Sequence, residues 1–247
     1  MTENFRGARA NQDYILAAGL DNVPGSTVHA IQGSNGSLAT SRQTLAPFLS
    51  GRYVYPSDAG EVMSIASDNA ADVGVLIRVR GLDTDFLEKT EVVELAGTTP
   101  VALTGLWSRI NELRNVGGSE HLGQVTVSNG GNTYSAAGPE EQRSLLGVYT
   151  VPADKVAQVL SVIGTMVRSG GTDANVVLYL SLRARPVGAA ITDFAFGVQR
   201  QGDNSIEFIN TAPSQIPGRT DIEISGEASA TNNSVLARVG LLLTEVR

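Results

Sequence analysis

Apolar and polar positions alternate with a period of two over short stretches of this chain, and Gly, Asn, Asp and Pro separate those stretches. Val75, Ile77 and Val79 fall on one face of an extended segment, with Arg78 and Arg80 on the other. Asp221-Ile222-Glu223-Ile224-Ser225 alternates in the same way, which predicts Ile222 and Ile224 inward and the carboxylates outward. Val176 to Leu182 is apolar on both faces apart from Ser181, the pattern of a strand in the middle of a sandwich. Val235 to Val246 is long enough for a strand that crosses a whole sheet.

Turn signals recur at intervals of roughly 8–15 residues, the spacing of sandwiches and barrels. They include Asn129-Gly130-Gly131-Asn132, Gly170-Gly171-Thr172-Asp173, Gly202-Asp203-Asn204 and Thr231-Asn232-Asn233, all rich in residues that tolerate positive φ. Two stretches also carry helical spacing, Leu106-Ile110-Leu113 and Val156-Leu160-Ile163-Val167. The β-branched load of the second, with Gly164 in its middle, favours a strand. Each stretch precedes a Gly-Gly turn (117–118, 170–171) and then an apolar strand, an order that suggests two related sandwich units.

Residues 1–55 sustain neither period, and Gly-Ser-Asn-Gly-Ser at 33–37 reads as loop. The expected organisation is therefore an extended N-terminal arm over 1–55, a first β-sandwich over 56–140 and a second over 141–247. The boundary falls at the polar, Pro-bearing stretch Ala136-Ala137-Gly138-Pro139-Glu140-Glu141. The fold class is mainly β, with jelly-roll-like sandwiches.

Composition narrows the function classes. Hydrophobic residues make up 42% and charged residues 17%, which places the chain among globular rather than disordered sequences. No apolar run reaches the roughly 20 residues a bilayer needs, and the first residues carry no apolar core of a signal peptide, so no membrane partner is expected. The net charge of −7 argues against a nucleic-acid partner, which would call for a basic surface. All of the 18 basic residues except Lys89 and Lys155 are arginines, the cation favoured at protein interfaces. With no cysteine, disulfides, thiolate metal sites and cysteine nucleophiles are excluded.

Candidate chemistry is sparse. The only histidines, His29 and His121, lie beside loop signals without a marked partner and read as surface residues. Asp68 with Asp72, Asp83 with Asp85, and Glu140 with Glu141 offer oxygen ligands, but none has the ladder and closing Glu of a calcium loop. Trp107 sits among apolar residues and reads as core or subunit interface. Arg78 with Arg80 and Arg183 with Arg185 are same-face pairs that would either grip carboxylates on a partner or line a solvated face. No nucleophile elbow and no phosphate loop occurs, so neither a catalytic nor a cofactor or metal site is expected.

One string is distinctive: Gly81-Leu82-Asp83, then Glu91 through Thr98-Thr99-Pro100-Val101. With Ala66 to Asp72, Val79-Arg80 and Arg109-Ile110-Asn111, it resembles a recurring module in virion structural proteins of tailed bacteriophages, particularly aquatic ones. Looser matches at Asp13-Tyr14-Ile15, Asn22 to Gly25, Ile216-Pro217, Thr220 to Ile222 and Asn232 to Ser234 extend the resemblance over most of the chain. The sequence departs from the usual pattern at Phe86-Leu87, which suggests a contact surface of its own.

The resemblance implies a non-enzymatic part of a phage particle, located in the virion. The favoured role is a capsid decoration or cement protein that binds the major capsid protein and self-associates as a homotrimer. The alternative is a head or tail appendage in host-surface attachment.

Overall fold

The computed structural model describes residues 16–20, 22–168, 177–189, 192–200, 206–209, 215–229 and 233–246. The Gly170-Gly171 and Gly202-Asp203-Asn204 turns, and all but Asn233 of the turn at 231–233, lie outside them. The chain is almost entirely β. Its early strands are β1 (Ser26–Leu38), β2 (Gln43–Thr44), β3 (Ser64–Ser67), β4 (Val73–Leu82), β5 (Glu88–Ala96), β6 (Val101–Ala102), β7 (Arg109–Asn115), β8 (Val125–Ser128) and β9 (Thr133–Ala137). The later ones are β10 (Val148–Thr150), β11 (Lys155–Arg168), β12 (Val177–Pro186), β13 (Thr192–Arg200), β14 (Ile206–Ile209), β15 (Gln215–Ile216), β16 (Thr220–Ala228) and β17 (Asn233–Glu245). Both stretches with helical spacing fall on strands, Ile110 and Leu113 in β7 and the second stretch in β11, where Ile110, Leu113, Val159 and Val162 pack into the cores.

Two of the sheets enclose one apolar core. Their strand orders are β1-β17-β11-β14, with β15 also on β11, and β10-β16-β12-β13, with β2 also on β16. The pairs nest along the chain: β1 with β17, β10 with β16, β11 with β14 and β12 with β13, all antiparallel. A long hairpin wound on itself in this way is a jelly roll. Ile31, Tyr149, Val159, Leu180, Leu182, Ile222, Ile224, Val239 and Leu241 meet between its sheets.

The second core belongs to an insertion between β1 and β10. Sheets β6-β3-β8-β9 and β5-β4-β7 face each other over Ile65, Ile77, Val79, Leu95, Trp107, Ile110, Leu113, Val125 and Val127. The two units are therefore not repeats of one topology. Strands β3–β9 fall inside 56–140 and β10–β17 inside 141–247, but the second unit also takes strands from the first 55 residues.

The expected N-terminal arm is corrected over residues 26–44, whereas its residues 1–15 and 21 lie outside the described ones. Residues 26–38 are the edge strand of the jelly roll, in register with β17 from Ser26 opposite Thr244 to Leu38 opposite Asn233. The strand was hidden because its glycines and serines carry little β-propensity. Its pairing comes from β17, and its small residues fit a close approach: a Cβ on Gly33 would meet the Leu45 carbonyl oxygen at 2.6 Å and the Gly147 Cα at 2.8 Å. The Arg143 guanidinium donates to the Ala30 carbonyl (2.9 Å) and so blunts the strand's outer edge.

The distinctive Gly81 to Val101 string forms the end of β4, a polar loop, β5, a tight turn and β6. Gly81 is required there because a Cβ would fall on the Arg109 carbonyl oxygen of the neighbouring strand.

Deleting residues 1–38 should destroy the jelly roll, since it uncovers one side of β17. Chemical unfolding followed by circular dichroism should show loss of the cooperative transition; an unchanged midpoint would restore the arm assignment.

Candidate functional site at the junction of the two units

Alternation in β16 puts Ile222 and Ile224 into the jelly-roll core and turns Asp221, Glu223 and Ser225 to the opposite face of the sheet. That polar face is not solvated. Asp221 and Ser225 are 0% exposed and Glu223 3%, because the inserted unit and its leading segment lie over them. The neighbouring strand β12 supplies matching cations, with Arg183 opposite Glu223 and Arg185 opposite Asp221. Neither reading open for these arginines describes them, since the carboxylates they pair with belong to the same chain.

Asp221 is the hub. Arg109, reaching across from β7 of the inserted unit, donates from Nε to Oδ1 (2.8 Å) and from Nη2 to Oδ2 (3.2 Å). The Thr150 hydroxyl donates to Oδ1 (2.6 Å) and Arg185 Nη2 to Oδ2 (2.6 Å). Arg109 is itself buried, and its remaining donors reach Asp58 (2.8 Å) and the carbonyls of Pro56 (3.2 Å) and Ser108 (2.7 Å). Two guanidiniums and two carboxylates, Asp58 and Asp221, balance in charge. The Arg109 and Arg185 guanidiniums also stand over the Tyr55 ring at 5.3 and 4.3 Å. A second bond ties Thr44, in β2, to Glu223 Oε1 at 2.8 Å.

Phe86 closes the same junction. It is 0% exposed, adopts a left-handed φ of 63°, and lies between the guanidiniums of Arg109 (5.1 Å) and Arg219 (4.6 Å). A bulky side chain in that backbone region is strained, and here burial and cation contact hold it. The expectation that Phe86-Leu87 forms an outer contact surface is therefore corrected for Phe86; Leu87 alone stays exposed.

The surface reading is corrected for both histidines: His121 is interior and His29 half-buried. His29, in β1, stacks on Tyr149 with ring centroids 4.5 Å apart. Burial, then the charges of Arg80, Arg143 and Lys155, lower its pKa from 6.5 to about 3. His121 is 1% exposed, with Nδ1 2.8 Å from the Gly123 carbonyl and Nε2 2.8 Å from the Glu141 carbonyl. A neutral ring donates to only one of them. Nothing in the local sequence signals either burial, because the covering residues come from distant strands.

The acidic pairs serve the loops. Asp72 accepts from the Leu122 amide (2.8 Å), the Gly123 amide (2.9 Å) and the Ser67 hydroxyl (2.6 Å), and Asp68 accepts from the Gln124 amide (2.7 Å). Burial works to raise the Asp72 carboxyl, but these donors and the nearby His121 hold it below its ordinary value. Asp83 Oδ1 accepts from the amides of Asp85 (2.9 Å) and Leu87 (3.0 Å). Glu141 accepts from the Gly138 amide at 2.7 Å, while Glu140 is exposed. Trp107 is a fully buried core residue with the Lys89 ammonium 4.3 Å from its ring. Arg80 bridges Glu88 and Glu112, each at 3.7 Å, whereas Arg78 lies across from Val92 and Arg114. Among the described residues, no three His, Asp or Glu side chains gather as a metal site would require.

The protein is thus a jelly roll carrying an inserted β-sandwich, with a buried ionic clamp between them. No protein-family model and no curated protein matches the chain. Among solved structures, one described as the structure of infectious bursal disease virus, Gx strain, is similar over 89% of this chain and 77% of that one, at 9% identity and a TM-score of 0.23. A likeness that slight carries no argument.

Asp221→Ala should cost about 3–5 kcal/mol, because it strands the buried Arg109 charge. Urea unfolding measures this, and a loss below about 1 kcal/mol, the worth of an exposed pair, would show the clamp to be dispensable. For His29, the folded pKa lies below the unfolded one, so its contribution is complete above about pH 6.5 and falls as the pH drops toward about 3. Stability should decline by about 1.4 kcal/mol per pH unit between roughly pH 6 and 4 from this group. His29→Gln should flatten that slope; an unchanged slope would assign it to the carboxylates.

Proposed function

We propose that this chain is a structural component of a phage virion, and specifically a capsid decoration or cement protein that assembles as a homotrimer on the shell. The observation that carries the reading is the jelly-roll strand order with a sandwich inserted between its first two strands. Jelly rolls recur in viral shells, as they do in lectins and cupins, so the strand order supports the reading by analogy of fold. The interior adds a physical argument. Aliphatic side chains fill the jelly roll, and a desolvated ionic clamp holds the inserted unit to it, which makes a stiff body suited to bearing load. A chain without thiols keeps that stiffness under oxidising conditions. The resemblance of the Gly81 to Val101 string to virion structural proteins of tailed phages points the same way.

The trimer is proposed by analogy with symmetric assemblies. Closed symmetry is the rule for homo-oligomers, and three-fold symmetry matches positions that recur on an icosahedral shell. Immunogold labelling of purified virions with antibody to the recombinant chain should decorate the shell, and light scattering should give the trimer mass. Label confined to tails would transfer the chain to the appendage role, and absence from virions would overturn the reading.

A further inference from the structure

The outer face of the jelly roll is not wholly sealed by the inserted unit. Beside the clamp, Arg52, Tyr53, Tyr55, Arg183, Arg185, Ala189 and Glu223 line a shallow cleft of about 220 Å³. We propose that this cleft binds the carboxylate of an acidic side chain on a partner protein. The inference does not depend on the virion reading.

Charge is the first argument. Three arginines and one carboxylate, Glu223, line the cleft, a local excess of positive charge in a protein of net charge −7. The carboxylates already present pair with two of these arginines and are shared with other donors, which leaves Arg52 as the cation open to a partner. Glu223 accepts from Thr44 and lies 4.0 Å from Arg183, and Asp221 is shared among Arg109, Arg185 and Thr150. Arg52, on the exposed rim, has no ion-pair or hydrogen-bond partner among the described residues.

Hydrogen-bond capacity is the second. The buried Tyr55 hydroxyl and Arg185 Nε find no acceptor, so the walls hold more donors than the chain can satisfy. Burial raises the Tyr55 pKa well above its ordinary value, which keeps the hydroxyl a donor.

The ring geometry selects the partner class. Sugars are held by stacking on free aromatic faces, but Tyr53 is buried edge-on against Tyr55, and Arg185 covers the Tyr55 ring. What the cleft offers is forked donors for a planar acceptor, which suits Asp or Glu.

The test is fluorescence polarisation of labelled hexaglutamate at low salt against the full chain. Wild type should bind, and Arg52→Glu should weaken binding about ten-fold or more, while Arg238→Glu, the same charge change at an exposed site on β17, should alter it by less than about two-fold. Both variants should keep the wild-type unfolding midpoint. No binding by wild type, or equal weakening in both variants, would overturn the site. Displacement of hexaglutamate by N-acetylneuraminic acid would overturn the protein partner in favour of an acidic glycan.

Discussion

The Arg109–Asp221 contact is the constraint on which the rest of this structure depends. It joins a strand of the inserted sandwich to a strand of the jelly roll through two parallel N–H donors, both partners being buried. Two charges taken out of water need every donor and acceptor matched, and the matching groups are recruited from far along the chain: Asp58 from the segment after β2, Thr150 from β10, Arg185 from β12. A bidentate guanidinium–carboxylate pair tolerates little rotation, so it sets the orientation of one unit on the other as well as holding them together.

That constraint explains why the outer face of the β10-β16-β12-β13 sheet is polar and buried at once. A sandwich normally buries one face of each sheet and leaves the other to water. Here the insertion begins just beyond β1 and ends just before β10, so it emerges next to that sheet and covers it. The apolar residues of β16 serve the core and its acidic residues serve the seam. The cleft around Arg52 lies where the cover stops, which is why it keeps surplus donors from the same face.

Burial of unusual groups follows from the same geometry. Phe86 holds a left-handed backbone because it plugs the junction between two guanidiniums. His29 stays neutral because the edge strand that carries it is pressed against Tyr149 and near three cations. None of these residues forms a reactive constellation. They are parts of a closely packed interior in which charge pairing and ring contacts hold the two units together.

The local pattern was informative about elements. The alternation of Val75, Ile77 and Val79 and of Asp221 to Ser225, the Asn129 turn and the β-branched load around Val159 all specify strands and hairpins through backbone sterics and propensity, which act within a few residues. The loop role of Asp83 was legible for the same reason, since its partners lie within four residues. What the alternation could not say is which face meets water. Asp221 and Glu223 read as solvated, and only the arrival of Arg109 from 112 residues away makes them the hub of a buried seam. Likewise, β1 has a loop's composition and becomes a strand because β17, some 200 positions later, offers it an edge. Period and propensity are properties of short stretches; burial, charge pairing and edge pairing are properties of which stretches meet, and the tertiary structure alone decides that.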